Sequence, residues 1–188
     1  MKKIMFNDEF GLTKAVLDGR KTMTRRAISN RLEKAYEKYL RGFPMPASVL
    51  IQEESRRDYF LKHAPNKVGD ILAVGQSYKD AGYLPDTWVG NKQMKDMAGW
   101  TNKMYVQPQS MRHYIRITSV KVERLQDIIR DDILREGVGY ENSVYFINDF
   151  EGFTTAHHAF KELINRISGL GTWEMNPMVF VYSFELVR

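Results

Sequence analysis

Gly19-Arg20-Lys21-Thr22-Met23-Thr24-Arg25-Arg26 carries four cations and two hydroxyls in eight residues, with a glycine in front. Upstream, Leu12, Ala15 and Val16 recur at i, i+3 and i+4, the buried stripe of a short helix. Asp8 is placed to cap that helix, which should run to about Asp18. Gly19 accepts the left-handed backbone that ends helices, so the basic segment should leave the core on a loop. Cations after a helix C-terminus can simply complement its dipole. That explains one or two of them. It does not explain two threonines interleaved with four cations, which points to anion binding or chemistry.

Working outward, residues 2–6 read as a first strand and residues 178–186 as a strongly apolar last one. The clearest strand is 113–124. Ile115 and Ile117 alternate with Arg116 and Thr118, and then Val120 and Val122 take the opposite parity. That change of parity predicts a bulge near Ser119 or burial on both faces. Val68-Gly69-Asp70 reads as a turn into a strand at 71–74. Amphipathic helices are expected at 29–41 and at 156–167, and a shorter helical segment at about 49–60, with Phe43-Pro44-Met45-Pro46 as a breaker after the first. Residues 79–109 hold Gly82, Pro85, Gly90, Gly99 and Pro108, with Tyr83, Trp88, Trp100 and Tyr105 among lysines. So long an irregular stretch is functional or disordered, and its aromatics argue against full disorder. Strands at both ends with helices between give an α+β domain.

At 188 residues and 43% hydrophobic, the chain suits one domain with its own core. A net charge of +5 fits a nucleic-acid or phosphate-bearing partner without requiring one. With no cysteine, disulfides, thiolate catalysis and Cys-based zinc sites are excluded. The N-terminal apolar run stops at Phe6 and acids follow, and no window approaches a membrane span. The expectation is a soluble, cytoplasmic protein.

The candidate chemistry gathers on few residues. Ile129, Ile133 and Glu136 stand at i, i+4 and i+7 of a short helix closed by Gly137. If both isoleucines point inward, Glu136 lies at the core edge and needs a partner. The alternative is a last-turn residue fraying into water. Thr24 needs activation to serve as a nucleophile, and Lys21 beside it could act as base or as electrostatic clamp. Arg20, Arg25, Arg26 and Arg116 are candidates to hold phosphate oxygens, and Trp88, Trp100 or Tyr105 to stack a base. For any one tryptophan, packing the insertion onto the core is the simpler role. His157 and His158 are adjacent on a helix and diverge by roughly 100°, and no H-E-x-x-H occurs, so no metal or other cofactor is expected.

Taken together these pieces resemble the ASCH domain of the PUA-like superfamily, in its phage and prophage form. The Gly19–Arg26 loop is similar to the family's G-R-K-T-x-T-x-R, and Gly69-Asp70-Ile71-Leu72 to its G-D-x-L strand entry. Thr118-Ser119-Val120 through Leu125-Gln126-Asp127-Ile128 resembles the strand followed by L-x-D-I. Asp132 to Glu136-Gly137 resembles the helix ending in E-G, and Asn176-Pro177 the N-P step into the last strand. The resemblance leaves about 28–66 and 79–109 as insertions in a single domain, 1–188. It implies a small PUA-like β-barrel with flanking helices, and RNA or a modified nucleoside as ligand. Some members are amidohydrolases that deacetylate N4-acetylcytidine with a lysine, a threonine and a glutamate. Carried over by motif, these are Lys21, Thr24 and Glu136. Arg25 stands where the compact amidohydrolases have an apolar residue, which favours RNA or phosphate contact. Three functions follow as expectations: nucleic-acid or nucleoside binding through a basic cleft around Lys21 and Thr24, amidohydrolysis by the Lys-Thr-Glu set, or a non-enzymatic phage interaction protein.

Overall fold

In a computed structural model, residues 1–42, 49–147 and 151–187 are described. Phe43-Pro44-Met45-Pro46 lies outside them. The centre of the α+β fold is a five-stranded mixed sheet, ordered β1-β3-β6-β10-β2. Its strands are β1 (Lys2–Ile4), β2 (Met23–Ala27), β3 (Ile71–Val74), β6 (Tyr114–Arg124) and β10 (Met178–Val187). β1 runs parallel to β3, and every other pair is antiparallel.

The parity change in β6 has a simple outcome. Ser119 pairs with Ser183 but Ile117 pairs with Phe184, so Thr118 is an extra, bulged residue. The bulge puts Ile115, Ile117, Val120 and Val122 on one face despite their spacing. Cross-strand partners share a face, so Phe184, Tyr182 and Phe180 of β10 lie there too, followed by Thr24 and Arg26 of β2. Arg25 and Glu123 occupy the opposite face.

No closed barrel forms. β1 and β2 are the two edges of the sheet and share no ladder among the described residues. The reason is the length of β1: three residues, paired with β3, end before reaching β2. A side chain bridges the gap instead, with Arg26 donating to the Met5 carbonyl and its guanidinium 5.7 Å from the Phe6 ring centre.

α1 (Leu12–Leu17) starts later than Asp8 implies. Its N-cap is Gly11 in the left-handed region, and Asp8 instead accepts from the Thr13 hydroxyl. α2 (Asn30–Leu40), capped by Ser29, and α3 (Val49–Lys62) form a helical pair, with Tyr36 wedged against Tyr59 and Phe60. α4 (Arg130–Arg135), α5 (Ala156–Ser168) and α6 (Thr172–Met175) follow β6. Phe60 and Phe160 are fully buried, each worth about 2–3 kcal/mol of burial. A three-stranded sheet of β7 (Gly139–Glu141), β8 (Val144–Phe146) and β9 (Gly152–Phe153) was not foreseen. Its strands are too short to show a period. Its tight turn uses Asn142 and Ser143 at positive φ.

Residues 79–109 are ordered. They hold the hairpin β4 (Trp88–Val89) and β5 (Lys92–Gln93) and short 3-10 turns. A satellite core of Tyr78, Met94, Val106 and Met111 packs them on Ala73 of β3. Lys3 donates to the carbonyls of Lys103, Met104 and Val106, and Lys103 answers by donating to the Phe6 carbonyl and pairing with Asp8. Among the described residues no helix is long and apolar enough to cross a membrane.

Candidate active site

The loop between α1 and β2 is fixed by its backbone. Gly19 has φ +75° and turns the chain off the helix. The Lys21 amide then donates to Ala15 O, the Thr22 amide to Arg135 O at the end of α4, and the Phe184 amide to Thr22 O. This lashing brings Lys21 beside Glu136, the C-cap of α4.

The structure brings Lys21, Thr24 and Glu136 to one cleft of about 270 Å³. Phe6 and Asn7 form one wall, and Phe160, Leu163 and Ile167 of α5 another. Lys21 is 2% exposed, Thr24 4% and Glu136 4%. Lys21 Nζ donates to Glu136 Oε2 at 2.7 Å and to the Glu136 carbonyl at 2.6 Å. Burial lowers the Lys21 pKa from its ordinary value because the charged amine loses its water. Glu136 opposes the shift, and Arg26 and Arg25 add to it. The Thr24 hydroxyl has no hydrogen-bond partner among the described residues and lies at the cleft.

Glu136 is held from a second side. Arg25 Nη1 donates to Glu136 Oε1 at 3.1 Å. The rest of that guanidinium goes to Glu123 Oε1, at 3.1 Å from Nε and 2.5 Å from Nη2, and to Asp132 Oδ2 at 3.1 Å. Lys121 closes the cluster on Glu123 at 3.0 Å. A guanidinium engaged by three carboxylates leaves no fork for a phosphate. The Arg25 pKa is raised, with Glu136, Glu123 and Asp132 outweighing desolvation.

The four arginines proposed for phosphates do not form one surface. Arg25 is buried at the cleft wall, with its guanidinium turned to three carboxylates. Arg26 lines the cleft beside Thr24. Arg20 is exposed near Asp18, and Arg116 pairs with Glu185 on the face opposite Thr24. Trp100 packs on the satellite core, while Trp88 and Tyr105 are exposed. Ile129 is also exposed: it caps α4 rather than sharing its buried face, and Ile133 alone carries Glu136 inward.

Sequence reading missed Glu123 and Asp132 as the partners of Arg25. Strand alternation offered a signal, since Thr24 at the cleft sends Arg25 to the other face. The apolar stripe of α5 was visible in the sequence, but not that it walls the cleft. The described residues contain no group of three or more His, Asp or Glu suited to a metal ion.

Gly137 follows Glu136 with φ +101°, and a Cβ there would lie 3.1 Å from Leu12 Cδ2 and 3.4 Å from Lys21 Cδ. Gly137→Ala is expected to cost about 1–3 kcal/mol in urea unfolding. A loss under about 0.5 kcal/mol would mean this turn can relax.

No protein-family model matches the chain, and no curated protein sequence does. One solved structure resembles it distantly. That is the crystal structure of protein EF3133 from Enterococcus faecalis V583, family DUF984, at 16% identity and a TM-score of 0.42, over all of this chain and 77% of the other.

Proposed function

We propose that the cleft binds a modified nucleoside and hydrolyses an exocyclic amide on its base, with N4-acetylcytidine as the reference substrate. The observation that carries this reading is the buried Lys21–Glu136 pair beside the unpartnered Thr24 hydroxyl. Lys21 and Arg25 are paired with carboxylates, so the part of the cleft they line suits a small, uncharged acceptor better than a run of phosphates. Its volume of about 270 Å³ holds one small ligand. The resemblance to ASCH proteins supports the choice of an acetylated cytosine.

In this reading the Thr24 oxygen attacks the amide carbonyl carbon while its proton passes to neutral Lys21 Nζ. The tetrahedral intermediate collapses with cleavage of the C–N bond, and Lys21 returns the proton to the departing amine. Water then attacks the acyl-threonine, Lys21 takes its proton and restores it to Thr24, and acetate leaves. Glu136 holds the amine in place and stabilises it when protonated.

The test is chromatographic: wild-type protein with N4-acetylcytidine should release cytidine and acetate in equal amounts. Lys21 must lose its proton first, and its pKa is lowered. The rate should therefore rise with pH and level off below the ordinary lysine value of 10.5. Absence of cytidine at every pH would overturn the hydrolase reading. A plateau only above 10.5 would remove Lys21 as the base.

A further inference from the structure

A second cavity, of about 360 Å³, opens on the same face of the sheet. Phe180 and Tyr182 of β10 line it, with Leu32 and Ala35 of α2 and Pro65 and Asn66 beyond α3. Both helices belong to the segment the ASCH resemblance leaves unmatched. Arg26 and Ala27 line this cavity and the first cleft alike.

Three features indicate what it takes. Tyr182 is 1% exposed, yet its hydroxyl has no hydrogen-bond partner among the described residues. A sealed, unsatisfied hydroxyl is a standing cost that a ligand acceptor relieves. Burial pushes the phenol up to about 12, so it remains a donor; the Asn66 backbone lies close enough to oppose that rise, but not in hydrogen-bond geometry. The described lining includes no carboxylate, but three basic side chains, Arg26, Arg31 and His63. Finally, Arg26 spends one bond on the Met5 carbonyl, and its other N–H groups have no hydrogen-bond acceptor among the described residues.

We propose that this cavity binds the base of a second nucleotide. Arg26 would then meet the phosphate joining it to the nucleoside in the first cleft. Apolar walls and the Phe180 ring suit the faces of a base, the Tyr182 hydroxyl suits an acceptor on its edge, and a guanidinium suits the bridging phosphate. The substrate is thus a modified nucleoside within a short strand, rather than a free one. The choice of neighbour rests on the nucleoside reading of the first cleft, whereas the cavity's own affinity does not.

The experiment separates the two. Adenosine 5′-monophosphate, which carries no acetylated base, is titrated calorimetrically into wild type, Tyr182→Phe, Ala35→Trp and Thr24→Val. Binding to wild type is expected. Tyr182→Phe should weaken it about tenfold, as loss of one buried hydrogen bond does. Ala35→Trp, placed on the exposed side of α2 and projecting over the cavity, should abolish it. Thr24→Val should leave it unchanged, so failure of the hydrolase reading leaves this result standing. In parallel, N4-acetylcytidine joined through a phosphodiester to adenosine should bind at least about tenfold more tightly than N4-acetylcytidine itself. No binding of the monophosphate at millimolar concentration, or binding indifferent to both cavity substitutions in folded protein, overturns the proposal. Equal affinity for the dinucleotide and the nucleoside overturns the shared-strand arrangement.

Discussion

Arg25→Met is expected to destabilise the protein by about 3–5 kcal/mol, the loss seen when one partner of a buried ionic cluster is removed. The guanidinium side chain is 1% exposed and meets Glu123, Asp132 and Glu136. Methionine fills similar volume but offers no donors. Lys121 and Arg135 still reach Asp132, at 3.6 and 3.4 Å, and Lys121 still reaches Glu123. Glu136 retains Lys21 alone. The carboxylates have left water, and the cation between them has gone. Urea unfolding followed by circular dichroism measures the change, and salt should recover little of it, because the cluster is screened less than surface pairs. Glu123→Gln keeps volume and an acceptor, so it should cost distinctly less. A loss below about 1 kcal/mol for Arg25→Met would show that water or local rearrangement replaces the guanidinium.

Thr24→Val should have the opposite profile: unchanged or slightly raised stability, and turnover of N4-acetylcytidine lower by at least about 10³-fold. The stability part follows from shape. Valine replaces a hydroxyl that opens on the cleft and has no protein partner among the described residues with a methyl of nearly the same size, so no hydrogen bond of the fold is lost. The activity part follows from removal of the attacking oxygen, for which no other hydroxyl of β2 substitutes. Melting temperature and chromatographic rate are read on the same preparation. Activity within tenfold of wild type in a folded variant would mean that water, not Thr24, attacks the amide.

Local signals in this chain were legible, while long-range partners were not. Gly19 marked the end of α1 because left-handed backbone selects glycine. The parity change from Ile117 to Val120 announced the Thr118 bulge, since a strand has a period of two. Asp8 misled because a cap residue can serve another bond, here the Thr13 hydroxyl, while Gly11 takes the cap position. Ile129 misled because i, i+4 spacing presumes a helix already begun, and it stands just before the first turn. The barrel failed on the shortness of β1. At the site, the sequence pointed to Lys21, Thr24 and Glu136, and the fold gathers them at one cleft. It did not show that Arg25, read as a phosphate contact, is tied to three acids. Two of them, Glu123 and Asp132, are reached only by pairing across β10 and by docking α4, neither of which a local pattern encodes.

The position of β10 in the sheet has a consequence for how the protein is made. Among the described residues β2, the strand that carries Thr24 and Arg25, has a ladder with β10 alone. β2 ends at Ala27 and β10 begins at Met178. During synthesis the chain emerges from its N-terminus at roughly 5–20 residues per second. The basic segment therefore spends several seconds on a ribosome, itself rich in RNA, before the strand that orders it exists. Through that interval its backbone lacks the ladder that holds it in the sheet, and its cations stand near polyanions. The strand that closes the site thus emerges long after β2, and a chain stopped short of Met178 keeps a loose, cationic arm in place of a cleft.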